Sequence, residues 1–347
     1  MDKVKVLCVM TDAWSVAHFR IGWPATYIRR NHSDEIEVHL AGSNIVNPWD
    51  IAALSQYDII HVNRQFGLSD SIKNIRESLN KVGVKVVIDT DDHWDFPKGY
   101  ENIIDHRQKY DTLGAEQIYM SNCDYATTTT EYFKQELLKL NPNVEVLPNG
   151  IDLNHKMWDY EKEESDVVRI AWAGSIQRLY DLKRLEKSIQ KLYADPELKG
   201  KFVFYQFGGE ERDNEVFQGP GFEWFHGKSP WTYGEFYAKI DISLAPLEEN
   251  LYNRCKSEIK MVEAGMNKIP FICQAYGPYI PHIQHGKNGL MVTNDDEWYI
   301  YIKELILNPE RRKELGQALH DYVNPKFSMK EICRTRIDFY KRIANEG

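Results

Sequence analysis

The chain has 347 residues, of which 42% are hydrophobic and 27% are charged, and its formal net charge is −9. These proportions are typical of a soluble globular protein, and the negative total offers no general attraction to nucleic acid or anionic lipid. No apolar run approaches the ~20 residues that a membrane-spanning helix requires. A chain of this length predicts two domains of about 150 residues each.

The cysteines and the first residues bear on the cellular compartment. The five cysteines are scattered and show neither disulfide nor zinc spacing. The opening MDKVKVLCVM is too short and too strand-like for a signal peptide. We therefore expect a cytoplasmic protein with reduced thiols.

The first half of the chain alternates short apolar runs with helical segments. The glycine-rich fingerprint G-x-G-x-x-G is absent after the first apolar run, which argues against a dehydrogenase. The alternation predicts a parallel sheet with helices on its faces, which is a Rossmann-like unit. Strands are predicted at residues 4–10, 36–40, 57–62, 84–88, 125–129 and 144–147, and helices at 24–30, 69–82, 115–123 and 131–140.

Polar side chains follow several of these predicted strands. His18 and Arg20 come after the first strand, and His61 and Arg64 mark the end of the third. Ligands of open α/β sheets gather at the carboxyl ends of the strands, so these residues are candidate binding groups. An ordinary surface loop is the alternative interpretation for His18 and Arg20.

Three carboxylates follow the fourth strand, those of Asp89, Asp91 and Asp92. A metal site is one interpretation, because hard cations prefer oxygen ligands. A capped and solvated turn is the other.

The second half repeats the alternation after a charged stretch at residues 160–165, where we expect a hinge. A second Rossmann-like unit is therefore predicted. Its strands are expected at residues 168–172, 202–207, 224–227, 241–245 and 269–273, and its helices at 182–194, 256–266, 298–307, 309–323 and 329–343.

The turn after the first strand of this second unit contains Gly174 and Ser175. A glycine in such a turn lets the backbone approach a phosphate closely, and a nearby cation neutralises the phosphate charge. Arg178 is the nearest cation, with Lys183 in reserve. A structural turn with a solvated arginine is the alternative.

The helix predicted at 256–266 carries a second group of charged residues. At about 100° per residue, Lys256, Lys260 and Glu263 fall within roughly 60° of one another. A helix N-terminus suits a phosphate because of its unpaired N–H groups, and Lys256 adds positive charge there. Glu263 offers an acceptor for hydroxyl groups. The competing interpretation is a solvated charged face.

Several sequence patterns together resemble a known family. The pattern K-S-x-I-K-x-x-E-A-G at residues 256–265, followed by Pro270 and an apolar strand, is similar to the donor-binding segment of retaining glycosyltransferases with the GT-B fold. The resemblance is closest to the family 1/family 4-like group of bacterial and phage enzymes. Matching patterns are PNGID at 148–152, DISLAPL at 241–247, HGKNGLMV at 285–292 and, more loosely, HFRIGWPA at 18–25.

This resemblance implies an architecture and an activity. It implies an N-terminal acceptor-binding domain at residues 1–152, a donor-binding domain at 166–325, and a C-terminal helix at 326–347 that crosses back to the first domain. The parallel sheets of the two domains would face each other across a cleft. The expected reaction moves a sugar from a UDP- or GDP-linked donor to an acceptor hydroxyl, without a metal ion or another cofactor. The acceptor stays open between a glycan, a small molecule and a modified nucleic acid.

The resemblance also implies roles for individual residues. An acid usually lies eight residues before the position of Glu263, but Cys255 stands there in this chain. Lys256, or backbone N–H groups near Asn253, would then replace the missing sugar contact. Glu263 would bind the ribose, and Arg178 and Lys256 would stabilise the leaving diphosphate. The expected donor-binding residues are Gly174, Ser175, Glu263, Asn253 and Lys260, and the acceptor-side candidates are His18, Arg20, His61, Arg64, Asp91 and Asp92.

Two other functions remain open at this point. One is a viral-type glycosyltransferase that modifies DNA bases, which needs a basic groove for phosphates. Arg29, Arg30, Arg64 and Lys98 are the residues available for such a groove. The other is a catalytically inactive protein that binds nucleotide sugars. This alternative stays open because Cys255 stands in place of the acid.

Overall fold

The protein is built on two six-stranded sheets in which every paired strand is parallel. The computed structural model describes residues 3–12, 15–97, 114–175, 179–209 and 217–346. The first sheet has the order β2-β1-β3-β4-β5-β6, and the second has the order β12-β11-β10-β7-β8-β9. Both predicted parallel-sheet units are therefore present.

The first sheet uses buried apolar strands at its centre, as expected for a parallel sheet covered on both faces. Helix α1 runs directly into a π-helical turn at His18–Gly22 and then into α2. The strands are β1 (Lys5–Met10), β2 (Glu37–Gly42), β3 (Ile59–Asn63), β4 (Lys85–Asp89), β5 (Tyr125–Thr128) and β6 (Val144–Val146). The helices are α1 (Ser15–Ala17), α2 (Trp23–Asn31), α3 (Ile51–Leu54), α4 (Ile72–Asn80), α5 (Ala115–Asn122) and α6 (Glu131–Leu137).

The second sheet follows the same plan. Short 3₁₀ helices occur at Lys156–Trp158, Lys183–Leu185, Pro196–Leu198, Tyr233–Lys239 and Gly277–Tyr279. The strands are β7 (Val168–Ala173), β8 (Phe202–Phe207), β9 (Phe222–Phe225), β10 (Ile242–Ala245), β11 (Phe271–Gln274) and β12 (Leu290–Val292). The helices are α7 (Leu179–Leu182), α8 (Glu186–Ala194), α9 (Leu251–Arg254), α10 (Ile259–Met266), α11 (Asp296–Leu307), α12 (Pro309–Phe327) and α13 (Met329–Asn345).

The last helix, α13, lies against the first half of the protein. It packs on α2, and its buried residues Ile337 and Ile343 join the apolar core that also contains Ile28 of α2. Charged groups at its surface add contacts, because Arg334 and Lys341 both pair with Glu35. The chain therefore crosses back to the first half, as the resemblance implies. The predicted domain limits and the hinge at residues 160–165 stay predictions.

One predicted helix starts later than expected. The sequence pattern predicts a helix from residue 256, whereas α10 begins at Ile259. The chain before it forms the separate helix α9, whose first turn is capped by the Asn250 side chain accepting a bond from Asn253 N. Lys256 therefore lies in the connection between two helices, and its predicted place in a helical first turn is wrong.

Candidate functional site

The carboxyl-end loops of the two sheets meet along one interface, which we call the cleft. The segment at residues 251–258, which follows β10, contacts the loop after β4. The ring of Tyr252 lies 5.0 Å from that of Phe96, at an interplanar angle of 48°. Lys256 forms an ion pair with Asp92 of the first half. The cleft is therefore closed by this segment in the present structure.

Glu263 lies on α10 at the centre of a polar cluster in the second half. Its side chain is 2% exposed. Oxygen Oε2 accepts hydrogen bonds from Tyr237 Oη at 2.7 Å, Tyr233 Oη at 3.3 Å and Lys260 Nζ at 3.0 Å. Oxygen Oε1 takes no hydrogen bond from the part of the chain that the structure describes. Glu263 thus keeps one acceptor available for a hydroxyl group.

The ionisation of the groups around Glu263 favours a fixed ion pair. Burial lowers the pKa of Lys260, but the neighbouring Glu263 carboxylate outweighs it, and the net result is a raised pKa. Burial and the Glu263 charge raise the pKa of Tyr233 to about 12. At neutral pH the cluster therefore contains a cationic lysine and neutral tyrosines.

Lys256 has partners on both sides of the cleft. Its ammonium group pairs with Asp92, donates to Tyr252 Oη at 2.7 Å, and lies 3.9 Å from the centre of the Tyr252 ring. This ammonium group is therefore already balanced by a carboxylate of the other half. The predicted diphosphate contact stays a prediction, and a diphosphate would have to compete with Asp92.

Asn253 of α9 is held by hydrogen bonds to α7 and to the loop after β10. Its Nδ2 group donates to Asp181 Oδ1 at 2.6 Å and to the Glu248 carbonyl oxygen at 3.0 Å. Asp181 also accepts a bond from Glu248 N at 2.9 Å. Asp181 therefore ties the start of the second half to the segment that leads into α10, a role that the sequence did not indicate.

Gly174 and Ser175 follow β7 at the carboxyl end of the second sheet. The carbonyl oxygen of Gly174 lies against Gly208, where an added Cβ would sit 2.2 Å from it. Gly208 has a φ of +83°, a conformation that side chains beyond glycine rarely adopt. This close approach fixes the backbone beside the predicted phosphate turn. Arg178, the predicted cation of that turn, lies outside the described residues.

Three carboxylates lie at the end of β4 and directly after it, and each is paired with an arginine or lysine side chain. Asp89 pairs with Arg20 at 2.6 Å, and Arg64 lies 3.1 Å from Asp91 and 3.5 Å from Asp92. No group of three or more histidine, cysteine, aspartate or glutamate side chains is placed to hold a metal ion in the described ranges. These ion pairs favour a structural role for the carboxylates over the metal interpretation.

Arg20 lies in the protein interior. Its side chain is 1% exposed and binds Asp89 through Nε and Nη2, at 2.9 and 2.6 Å. Its Nη1 group donates to the Leu147 carbonyl oxygen and to Asn149. Burial raises the pKa of Asp89, but the Arg20 charge outweighs burial and holds it below its ordinary value. Arg20 therefore joins β4 to the chain that follows β6, and its contact with an acceptor substrate stays a prediction.

His61 is also buried, with no exposed surface. Its Nδ1 lies 2.7 Å from Tyr340 Oη of α13, and its Nε2 lies 3.1 Å from Thr127 Oγ1. Burial lowers the pKa of His61 to about 3, so the ring is neutral at physiological pH. His61 therefore connects the last helix to the first sheet, and its acceptor role stays a prediction.

His18 belongs to an aromatic cluster at the edge of the cleft. Its ring lies 5.6 Å from Trp23 and 4.9 Å from Trp231, which comes from the second half. Trp231 also stacks on His155 at 5.8 Å and is 46% exposed. His18 remains an acceptor-side candidate, and Trp231 and His155 are neighbours that the sequence did not indicate.

Glu258 is a buried acid that the sequence analysis missed. It precedes α10 and is 1% exposed, and neither carboxyl oxygen has a hydrogen-bond partner among the side chains and backbone groups that the structure describes. Burial raises the pKa of Glu258 to about 7, while the positive charge of Arg20 acts in the opposite direction. The protein therefore contains, at the cleft, an acid that exchanges its proton near neutral pH.

The raised pKa of Glu258 predicts a specific pH dependence of stability. Between the ordinary pKa of 4.5 and the folded value of about 7, the unfolded chain ionises first, so rising pH destabilises the folded state. Glu258→Gln replaces the titrating carboxyl group with an amide that does not titrate. The free energy of unfolding of the variant, relative to wild type, should rise by about 3 kcal/mol between pH 4 and pH 8.

Urea denaturation at several pH values measures this difference directly. Glu161→Gln is the matched control, because Glu161 is exposed in the charged stretch and its loss should leave the pH curve unchanged. Parallel pH curves for wild type and Glu258→Gln would contradict the assignment.

Comparison with known proteins gives matches at the level of structure. No protein-family model matches the sequence, and no curated protein matches it. A glycosyltransferase from Rickettsia africae matches with a TM-score of 0.66 and 16% identity, over 100% of both chains. Sucrose-phosphate synthase from Thermosynechococcus elongatus matches with a TM-score of 0.65 and 12% identity, over 99% of this chain and 100% of that one. HepE from Anabaena, in complex with UDP and glucose, matches with a TM-score of 0.63 and 11% identity, over 98% and 100%.

The fold is GT-B. Two Rossmann-like halves face each other across the cleft, and the last helix returns to the first half, as the resemblance implies. Within the described parts of the chain, no helix is long and apolar enough to cross a membrane.

The GT-B arrangement also shows where Cys255 lies. Its side chain is fully buried in the apolar core of the first half, next to Leu251. Burial raises the pKa of its thiol to about 12, so the thiol is neutral. Position 255 therefore anchors the second half to the first.

Proposed function

We propose that the protein is a retaining, metal-independent glycosyltransferase that uses a UDP- or GDP-linked sugar. The observation that carries the proposal is the buried Glu263 cluster within a GT-B fold, where one carboxylate oxygen stays available for a hydroxyl donor. The Rickettsia protein is a glycosyltransferase, and HepE was captured with UDP-glucose. Both support this choice of activity and donor class.

In the proposed complex, the donor lies against the second half of the protein. Glu263 accepts hydrogen bonds from the ribose hydroxyls, and the hydrogen bond from Lys260 holds the carboxylate in place. The backbone at Gly174 and Ser175 approaches the diphosphate, and Arg178 and Lys256 counter the charge that grows as the sugar leaves. Closure of the cleft by the segment at 251–258 excludes water and limits hydrolysis of the donor.

The acceptor would enter from the first half, near His18. The aromatic rings of His18 and Trp231 form one side of this entrance. Arg64 forms ion pairs with Asp91 and Asp92. Arg64 is therefore already neutralised, so it does not support a basic groove for DNA.

A thermal-shift screen across UDP- and GDP-linked sugars tests the proposal. The folded protein should be stabilised by at least one of these donors and by the matching nucleoside diphosphate. An inactive binding protein would show the same shifts, so release of nucleoside diphosphate must be measured with the donor that binds. No shift with any nucleotide or nucleotide sugar would contradict the proposal.

Removal of the Glu263 carboxylate should weaken nucleotide binding. Glu263→Ala is expected to cost about 1–3 kcal/mol of binding free energy, because the ribose hydroxyls lose their acceptor. Isothermal titration with the free nucleoside diphosphate measures the change. Glu263→Gln preserves the volume of the side chain and separates loss of the charge from loss of packing. An unchanged dissociation constant in both variants would remove Glu263 from the site.

A further inference from the structure

A concave pocket, which we call the basic pocket, lies at the amino-terminal edge of the second sheet. Its wall is formed by the residues that directly precede β10 and β11, the first turn of α12, and the chain at residues 160–162. The cleft is built from loops at the carboxyl ends of the same parallel strands, so the two lie at opposite edges of the sheet. The volume of the basic pocket is about 430 Å³, which is within the range of pockets that bind small molecules.

The basic pocket carries an excess of positive charge. Its described lining includes one carboxylate, that of Asp241. Arg169 already neutralises Asp241, because it donates to this carboxylate through Nε at 2.8 Å and through Nη2 at 3.0 Å. The first turn of α12 adds the positive end of a helix dipole. The cationic side chains of the lining are Lys162, Lys268, Arg312 and Lys313.

Three of these cations have no carboxylate partner. In the part of the chain that the structure describes, Lys268, Arg312 and Lys313 form no ion pair. By contrast, Arg311 in the same turn of α12 pairs with two glutamates, at 3.3 and 3.5 Å. Lys303 of α11 likewise lies 2.7 Å from each of two carboxylates. Unpaired cations around one concavity produce a positive potential that attracts an anion.

The walls of the basic pocket shield two of its cations from water. Burial lowers the pKa of Lys162 and of Arg312, although the charge of Asp241 acts in the opposite direction on both. A partly desolvated cation gains more from an anion than a solvated one, because the local dielectric is lower. Arg312 is also fixed in place, since its Nη1 group donates to the carbonyl oxygens of Leu305 and Ile306 at the end of α11.

The basic pocket is separate from the Glu263 carboxylate. Glu263 is not among the described residues that line it. Tyr237 lines the pocket, and its Oη donates to Glu263 at 2.7 Å. Glu263 also accepts a bond from Lys260 at 3.0 Å, so its charge is balanced within its own cluster. The negative charge of Glu263 therefore does not cancel the positive charge of the basic pocket.

We propose that the basic pocket binds a small phosphorylated molecule, at a site separate from that of the sugar donor. A guanidinium group and several ammonium groups around one concavity suit the oxygens of a phosphate. The formal net charge of −9 favours a small molecule over a nucleic acid, whose backbone would extend beyond the pocket over a negatively charged protein. Binding at this pocket does not depend on the proposed sugar transfer.

Isothermal titration with pyrophosphate and with ribose 5-phosphate, at millimolar concentrations, distinguishes an inorganic ligand from a phosphate ester. We expect the wild-type protein to bind at least one of these probes. The double variant Lys268→Gln with Lys313→Gln should lower the affinity at least about tenfold. The matched control is Lys199→Gln with Lys287→Gln, which removes the same charge at exposed positions outside the pocket and should bind like wild type.

Hydrogen exchange of the backbone amides locates the bound probe. It should protect residues 267–269 and 310–313, and this protection should persist in Lys256→Ala, a change in the cleft. Binding that is lost in Lys256→Ala but kept in the double variant would place the anion in the cleft and overturn the proposal. An equal loss in the double variant and its control would show a general charge effect and also overturn it. So would the failure of the wild-type protein to bind either probe.

Discussion

Arg20→Met is expected to lower the free energy of unfolding by about 3–5 kcal/mol, because it leaves the Asp89 carboxylate buried without its cation. The two side chains are each 1% exposed and share two hydrogen bonds, at 2.9 and 2.6 Å. Loss of Arg20 also removes the bonds to Leu147 and Asn149, which hold the chain after β6. The methionine fills a similar volume, so the cost comes mainly from charge and hydrogen bonds.

Chemical denaturation of a pair of variants isolates this effect. The double variant Arg20→Met with Asp89→Leu removes both charges and should recover part of the lost stability, because no buried carboxylate remains. His320→Ala provides a control, since His320 is only partly buried and its ring bonds one carbonyl group. Unchanged stability of Arg20→Met would show that the ion pair does not hold the first half together.

Lys256→Ala and Arg178→Ala are each expected to lower turnover on the order of 10²-fold, with a smaller effect on donor affinity. Both cations would act on charge that develops as the sugar leaves, so their loss falls on the transition state more than on the bound donor. We expect the larger loss for Lys256→Ala. Steady-state rates with the donor found in the thermal-shift screen measure both effects.

The ion pair between Lys256 and Asp92 provides a control variant that the sequence alone does not suggest. Lys256 pairs with Asp92 across the cleft, so its loss can act by opening the cleft instead of by exposing the diphosphate. Asp92→Asn breaks the same ion pair but keeps the lysine. Turnover near wild type in Asp92→Asn, with a loss in Lys256→Ala, supports the diphosphate role. An equal loss in both variants assigns Lys256 to closure, and wild-type turnover in Lys256→Ala removes it from the site.

The sequence was sufficient to predict the two parallel sheets and the return of the last helix. Buried parallel strands are continuous apolar runs, as in β3 and β4. Such runs can be recognised in the sequence without knowing which strands lie beside them. The first and last residues of the helices were less predictable. The helix expected from residue 256 begins at Ile259, because the Asn250 cap starts a separate helix that ends before Cys255.

The candidate site was predicted only in part, because burial and pairing depend on distant residues. Arg20 and His61 follow strands, as ligand-binding groups do, but their partners lie 69 and 279 positions away. Glu258 lies among charged residues whose pattern is typical of a solvated helix face. It is 1% exposed in the folded protein, and no local sequence pattern reveals this burial.

Release of nucleoside diphosphate from UDP- and GDP-linked sugars is the most direct test of the central claim, which is sugar transfer from a nucleotide donor. We expect time-dependent release from at least one donor by the wild-type protein, and little release by Glu263→Ala at the same donor concentration. A folded wild-type protein that binds these donors without releasing diphosphate, in the absence and presence of glycan acceptors, would contradict it.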